Sequence, residues 1–131
     1  MTIIQGGASF AERGLARSLS RSRFGPGGVW IFEIELITSD EEPIVVDAIF
    51  DSGFSNGYLA LNAADVELTT ASGLSRFDID QGKVMIGGKT YLIPVHVGQE
   101  IPDILLGLRW QNHARIIVDY RAGLLILELE T

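Results

Sequence analysis

The chain has 131 residues, 47% of them apolar and 21% charged, a globular composition of about one domain's length. It has no cysteine and only two histidines, His96 and His113, which excludes disulfide scaffolds, thiol nucleophiles and cysteine-ligated zinc. A formal charge of −7 argues against a sequence-independent nucleic-acid binder, and no apolar run approaches the roughly 18 residues of a membrane-spanning helix. The mean hydropathy of +0.25 is high for a small monomer and suggests apolar surface buried against a partner.

Residues 1–28 hold four arginines (Arg13, Arg17, Arg21, Arg23) against one acid, Glu12. The remainder holds sixteen acids and six bases. That shift divides the chain into a basic Gly/Ser/Arg-rich leader or arm, 1–28, and a domain, 29–131, joined at Gly25-Pro26-Gly27-Gly28. The leader lacks the continuous apolar stretch of a secretory signal, and a cytoplasmic protein is expected. It reads as a mobile or loosely docked arm, a transit peptide, or a pro-segment cut near Ser22–Gly25.

From Val29 the pattern is β. Val29–Ile37 interleaves apolar residues with Glu33 and Glu35, so one face of a strand meets a core and the other meets water. Pro43–Phe50 is a β-branched run that predicts a buried strand. Tyr58–Leu61 is a short apolar run after a Gly/Ser/Asn cluster. Arg76–Ile86 and Thr90–Val97 flank Gly87-Gly88, and Arg115–Asp119 and Leu124–Leu129 flank Tyr120–Gly123; both read as hairpins. Ile104–Leu108 is a further apolar run, and Arg109–Ala114 predicts one helical turn. About eight closely spaced strands with little helix predict an all-β sandwich or small barrel. Glu128 and Glu130, alternating with Leu127 and Leu129, suggest an edge or interface strand.

The chemistry concentrates at Asp51-Ser52-Gly53, which follows the run Val45–Phe50 without a break. A carboxylate at the end of an apolar strand sits at a partly dry site where its proton affinity can be tuned. Asp, Ser and Gly are also ordinary turn residues. His96, on an apolar strand, reads as structural, and Asp119 as a turn residue. No further acid is paired with Asp51 by the sequence, which leaves little room for a sugar hydrolase with two acids in one site.

The stretch Ala48–Ser55 (AIFDSGFS) resembles the active-site loop of the retropepsin-like aspartic proteases, most closely the single-lobe, Asp-Ser-Gly bacterial and retroelement type. A second mark of that family, apolar residues followed by glycine, stands farther on as Ile104-Leu105-Leu106-Gly107-Leu108. Trp110–Ala114, Ile116–Tyr120 and Gly123–Leu129 then occupy the places of its short helix, strand and final hairpin. The resemblance covers about residues 29–131. It implies a closed all-β barrel or sandwich with one short helix, working as a symmetric homodimer. It implies a catalytic Asp51 from each chain, supported by Ser52, Gly53, Leu105, Leu106 and Gly107. No metal or cofactor is implied. The implied partners are a second copy and a peptide or protein substrate, with neither nucleic acid nor membrane. A flap is implied as well, for which Val66–Ile79 with Ala71, Ser72 and Gly73 at its tip is preferred over the Gly87-Gly88 hairpin. In such relatives the chain ends interleave at the dimer interface. Ser52 stands where threonine is commoner, and Arg109 where many relatives carry an acid or amide. These departures keep a second reading open, a catalytically silent dimerisation or peptide-binding module.

Overall fold

A computed structural model describes residues 2–6, 22–70 and 73–129. Its strands, in chain order, are β1 (Thr2–Gly6), β2 (Ser22–Phe24), β3 (Trp30–Ile37), β4 (Pro43–Phe50), β5 (Leu59–Asn62), β6 (Glu67–Thr70), β7 (Gly73–Arg76), β8 (Gly82–Ile86), β9 (Lys89–Ile93), β10 (Val95–Gly98), β11 (Ile104–Leu106), β12 (Ala114–Asp119) and β13 (Leu124–Leu129). Helical structure among the described residues is confined to short 3₁₀ turns, including Leu108–Asn112 where the helical turn is expected. None of it is long and apolar enough to cross a membrane as a helix.

The main sheet runs β10-β5-β11-β4-β3-β8-β9, with β2 also on β3. Its end strands β10 and β9 do not pair with each other, so it is a curled half-barrel and not the closed barrel expected. A second sheet, β1-β13-β12, shares one core with it: Phe32, Ile34, Leu36, Val84 and Ile86 pack together with Leu125, Leu127 and Leu129. The alternation read in Val29–Ile37 is present, since Phe32, Ile34 and Leu36 are fully buried while Glu33 and Glu35 lie on the other face. The Gly87-Gly88 turn joins β8 to β9 with φ of 58° and 83°, the left-handed pair that a two-residue hairpin of this hand requires.

Several expectations are adjusted. Pro43–Phe50 is buried on one face only: Ala48 is inaccessible, but Val45 and Asp47 face solvent, because no layer of the described residues covers that side of β4 there. Arg76–Ile86 is not one strand, since Asp78 accepts hydrogen bonds from the N–H groups of Asp80 and Gln81 and turns the chain before β8. Thr90–Val97 is broken at Pro94, which cannot donate to a ladder, and β10 leaves β9 to run parallel to β5. Leu124–Leu129 is the central strand of its sheet; among the described residues β1 and β12 are the edges. Two parts of 1–28 are strands: β1 pairs with β13, and β2, at the place suggested for a pro-segment cut, pairs with β3.

Candidate active site

β4 delivers Asp51 to the surface. Below it, β11 lies between β4 and β5, parallel to the first and antiparallel to the second. Leu106 therefore sits beside both Phe50 and Leu59, and is buried. The Asp51 N–H donates to the Leu106 carbonyl at 2.9 Å. The loop then turns tightly: the Phe54 N–H donates to the Asp51 carbonyl at 3.1 Å, and the Gly53 N–H donates to Asp51 Oδ1 at 2.8 Å. Asp51, Ser52 and Gly53 are all exposed in the single chain.

The segment after β11 clamps the same loop from beneath. The N–H groups of Gly107, Leu108 and Arg109 donate to the carbonyls of Tyr58, Phe54 and Gly57, at 3.0, 2.9 and 3.2 Å. Gly107 must be glycine for this, since a Cβ there would stand 2.7 Å from the Phe54 carbonyl oxygen. Leu105, Leu106 and Gly107 are thus brought together with Asp51, Ser52 and Gly53. Arg109 contributes its backbone to the clamp while its residue surface is exposed.

Sequence reading missed the layer below. Buried Trp110 donates from Nε1 to the Tyr58 carbonyl at 2.8 Å and packs edge-on against Tyr58 and Tyr91. His113, which has no assigned role on sequence grounds, lies 3.3 Å by Nε2 from the Tyr58 hydroxyl. His96 meets the edge of Phe54, with ring centroids 5.0 Å apart, so it borders the loop as a packing residue. These aromatics are scattered along the chain, and only the tertiary fold gathers them. Among the described residues no group of three or more His, Asp and Glu could hold a metal ion.

Beside Ser52 a cavity of about 170 Å³ is lined by Gly28, Val29, Trp30 and Phe50. Trp30 and Phe50 stack at 5.5 Å and also line a second cavity of about 210 Å³ with Leu108, Trp110, Gln111, Ala114 and Ile116. The preferred flap segment forms a hairpin of its own, β6-β7, outside both larger sheets. Its base is fixed by buried Val66 and Phe77, with the Phe77 N–H donating to the Val66 carbonyl at 2.8 Å. Leu74 projects with 74% of its surface exposed. Of the flap-tip residues, Gly73 opens β7, while Ala71 and Ser72 lie outside the described residues.

No protein-family model matches the chain, and no curated protein does. Among solved structures, a retropepsin-like aspartic protease from Rickettsia conorii is similar over 82% of this chain and 88% of its own, at a TM-score of 0.53 and 22% identity. With a curled all-β sheet that carries an Asp-Ser-Gly loop on a Leu-Leu-Gly clamp, the chain has a retropepsin-like fold.

Proposed function

We propose that the protein is a homodimeric aspartic endopeptidase whose active site is assembled from one Asp51 of each chain. The observation that carries this reading is the placement of Asp51: exposed at the end of β4, in a loop held by five backbone hydrogen bonds to its own turn and to β11 and the segment after it. A single exposed carboxylate cannot act as both base and acid on a peptide bond. Two of them facing across a twofold axis can, because like charges that close share one proton. The ionised member takes a proton from water as that water attacks the peptide carbonyl. The protonated member donates to the developing oxyanion, and as the tetrahedral intermediate collapses the C–N bond breaks while the carboxyl that took the water's proton gives it to the departing amine. The similar Rickettsia conorii protein is a retropepsin-like aspartic protease, which favours the same chemistry here.

The supporting parts belong to the same reading, by resemblance to the retropepsin-like proteases. Ser52 braces the pair by bonding to the opposite loop, and the Gly53 backbone pairs with an extended substrate. The β6-β7 hairpin closes over that substrate by strand addition. The apolar cavity of Trp30 and Phe50 beside Ser52 takes an apolar side chain next to the cleaved bond. The reaction as drawn uses water and carboxylates alone.

The reading is tested by calorimetric titration with a peptide carrying a statine hydroxyl at the place of the cleaved bond, a mimic of the tetrahedral intermediate. One inhibitor bound per two chains, with binding lost in Asp51→Asn, is expected. One inhibitor per chain, or binding indifferent to Asp51→Asn, would overturn it.

A further inference from the structure

The turn between β12 and β13 is pinned, and it reaches across to the wall of the Asp51 site. Asp119 Oδ1 accepts from the N–H groups of Arg121 and Ala122 at 3.0 and 3.1 Å, and Gly123 closes the turn at a φ of 66°. Tyr120, just past Asp119, stacks on Phe24 of β2 with ring centroids 4.7 Å apart. Its hydroxyl is used twice: it accepts the Trp30 indole N–H at 2.7 Å and donates to the Gly28 carbonyl at 3.1 Å. Tyr120 is 61% exposed, so water would satisfy the same hydroxyl, and burial does not account for the two bonds. Their effect is to place two groups. The indole N–H can only donate, so this bond fixes which way the half-buried Trp30 ring is turned. Gly28 follows Gly27, both at left-handed φ, 79° and 75°, in backbone that no side chain stiffens.

Both groups are walls of the cavity of about 170 Å³ beside Ser52. Trp30 stacks on Phe50, the residue before Asp51, at 5.5 Å and within 19° of parallel. The same pair lines the neighbouring cavity of about 210 Å³, so the setting of the Trp30 ring decides whether there are two small spaces or one large one. An apolar cavity of about 150 Å³ takes a benzene ring, which makes the space beside Ser52 one ring in size. Its flat aromatic wall favours an offset-stacked ring over a branched aliphatic side chain.

We propose that Tyr120 is the positioning residue that sets the specificity of this site: by holding Trp30 and Gly28 it keeps the cavity beside Ser52 a slot for one flat ring, and so selects peptides with phenylalanine or tyrosine at the cleaved bond over those with leucine or isoleucine. The inference rests on the reading that Asp51 cleaves peptides, and it names the side chain selected and the residue that sets the selection. Tyr120 acts through Trp30 and Gly28 and not by touching the substrate ring. With the hydroxyl gone, Trp30 is released toward the neighbouring cavity, the two spaces join, and a flat ring loses its advantage over an aliphatic side chain.

Tyr120→Phe removes both hydrogen bonds and keeps the ring stacked on Phe24. The chain has two tryptophans, Trp30 and Trp110, so two indole N–H signals are expected in a nitrogen-labelled spectrum, and Trp110→Phe assigns them. The Trp30 indole proton is expected to exchange with solvent about tenfold faster in Tyr120→Phe, at a nearly unchanged urea midpoint. Two peptides differing only in phenylalanine or leucine at the cleaved bond are then compared by KM and kcat and, as statine analogues, by calorimetric Kd. Wild type is expected to favour phenylalanine about tenfold, chiefly in KM. Tyr120→Phe and Trp30→Phe should each bring that preference near unity, and the double variant should lose no more than either alone. A wild type that prefers leucine, a preference unchanged in Tyr120→Phe, or equal losses on both peptides with a lowered urea midpoint overturns the positioning role and leaves the protease standing. A statine peptide that binds with the phenylalanine preference and shifts the Trp30 signal, while neither parent peptide is cleaved, keeps the slot and overturns the protease. Neither binding nor cleavage of either peptide overturns both.

Discussion

Gly107 lies so close under Gly57 that a Cβ at position 107 would stand 2.7 Å from the Gly57 carbonyl carbon. This contact joins the loop that follows Asp51 to the segment after β11, and neither neighbour is a flexible side chain that could swing away. Gly107→Ala must therefore displace backbone, at a cost of about 3 kcal/mol. A urea midpoint unchanged in Gly107→Ala would show that the loop is not clamped as described.

Trp110 holds the Tyr58 carbonyl from below while its ring fills the aromatic layer. Trp110→Phe keeps most of the packing and removes the donor. The Tyr58 carbonyl still accepts from Gly107, so the loss is expected to be about 1 kcal/mol. Trp110→Ala leaves a cavity and is expected to cost about 4 kcal/mol. Equal losses for the two variants in chemical denaturation would contradict this division.

Leu74 is exposed on the β6-β7 hairpin and contributes little to the core. Leu74→Ser is expected to leave stability within about 0.5 kcal/mol. If the hairpin closes on substrate, the same change raises KM several-fold with a smaller effect on kcat. Steady-state kinetics on a cleaved peptide reads this, and an unaltered KM would remove the hairpin from the substrate cleft.

Arg23 on β2 and Asp47 on β4 bridge across β3, with Nη2 to Oδ2 at 2.8 Å. The hydrogen bond from Arg23, helped by its charge, holds the Asp47 carboxyl below its ordinary value, against the opposing effect of burial. A carboxyl lowered in the folded state stabilises above its unfolded value and loses that contribution as pH falls through the folded one. Both side chains are about half exposed, so the effect is small and salt-sensitive. The gap in urea midpoint between wild type and Asp47→Asn should be slight at neutral pH and close as pH falls through the lowered value of the folded carboxyl. A gap that widens on acidification would contradict the assignment.

What the sequence made legible is local. Asp51-Ser52-Gly53 and Leu105-Leu106-Gly107 are each short enough to recognise, and both land in one loop system. The Gly87-Gly88 and Tyr120–Gly123 turns are hairpins because their glycines sit at positive φ. The parts that were not legible depend on pairing between distant segments. Nothing in Pro43–Phe50 tells that only one face will be covered, and nothing in Val95–Gly98 tells that it will leave its hairpin for β5. Tyr58, Tyr91, Trp110 and His113 carry no shared spacing. Leu124–Leu129 alternates as an edge strand would, yet β1, more than a hundred residues away, occupies its second side.

The claim that Asp51 is a proteolytic carboxylate is tested most directly by incubating wild type and Asp51→Asn side by side with a mixed peptide library between about pH 4 and 7. The amide of the Asp51→Asn variant retains an oxygen to accept from the Gly53 N–H, so both proteins should fold alike. Cleavage next to apolar residues by wild type alone is the predicted result. A folded, dimeric wild type that cleaves nothing, or an Asp51→Asn protein that cleaves as well, would contradict the account and leave the fold as a peptide-binding module.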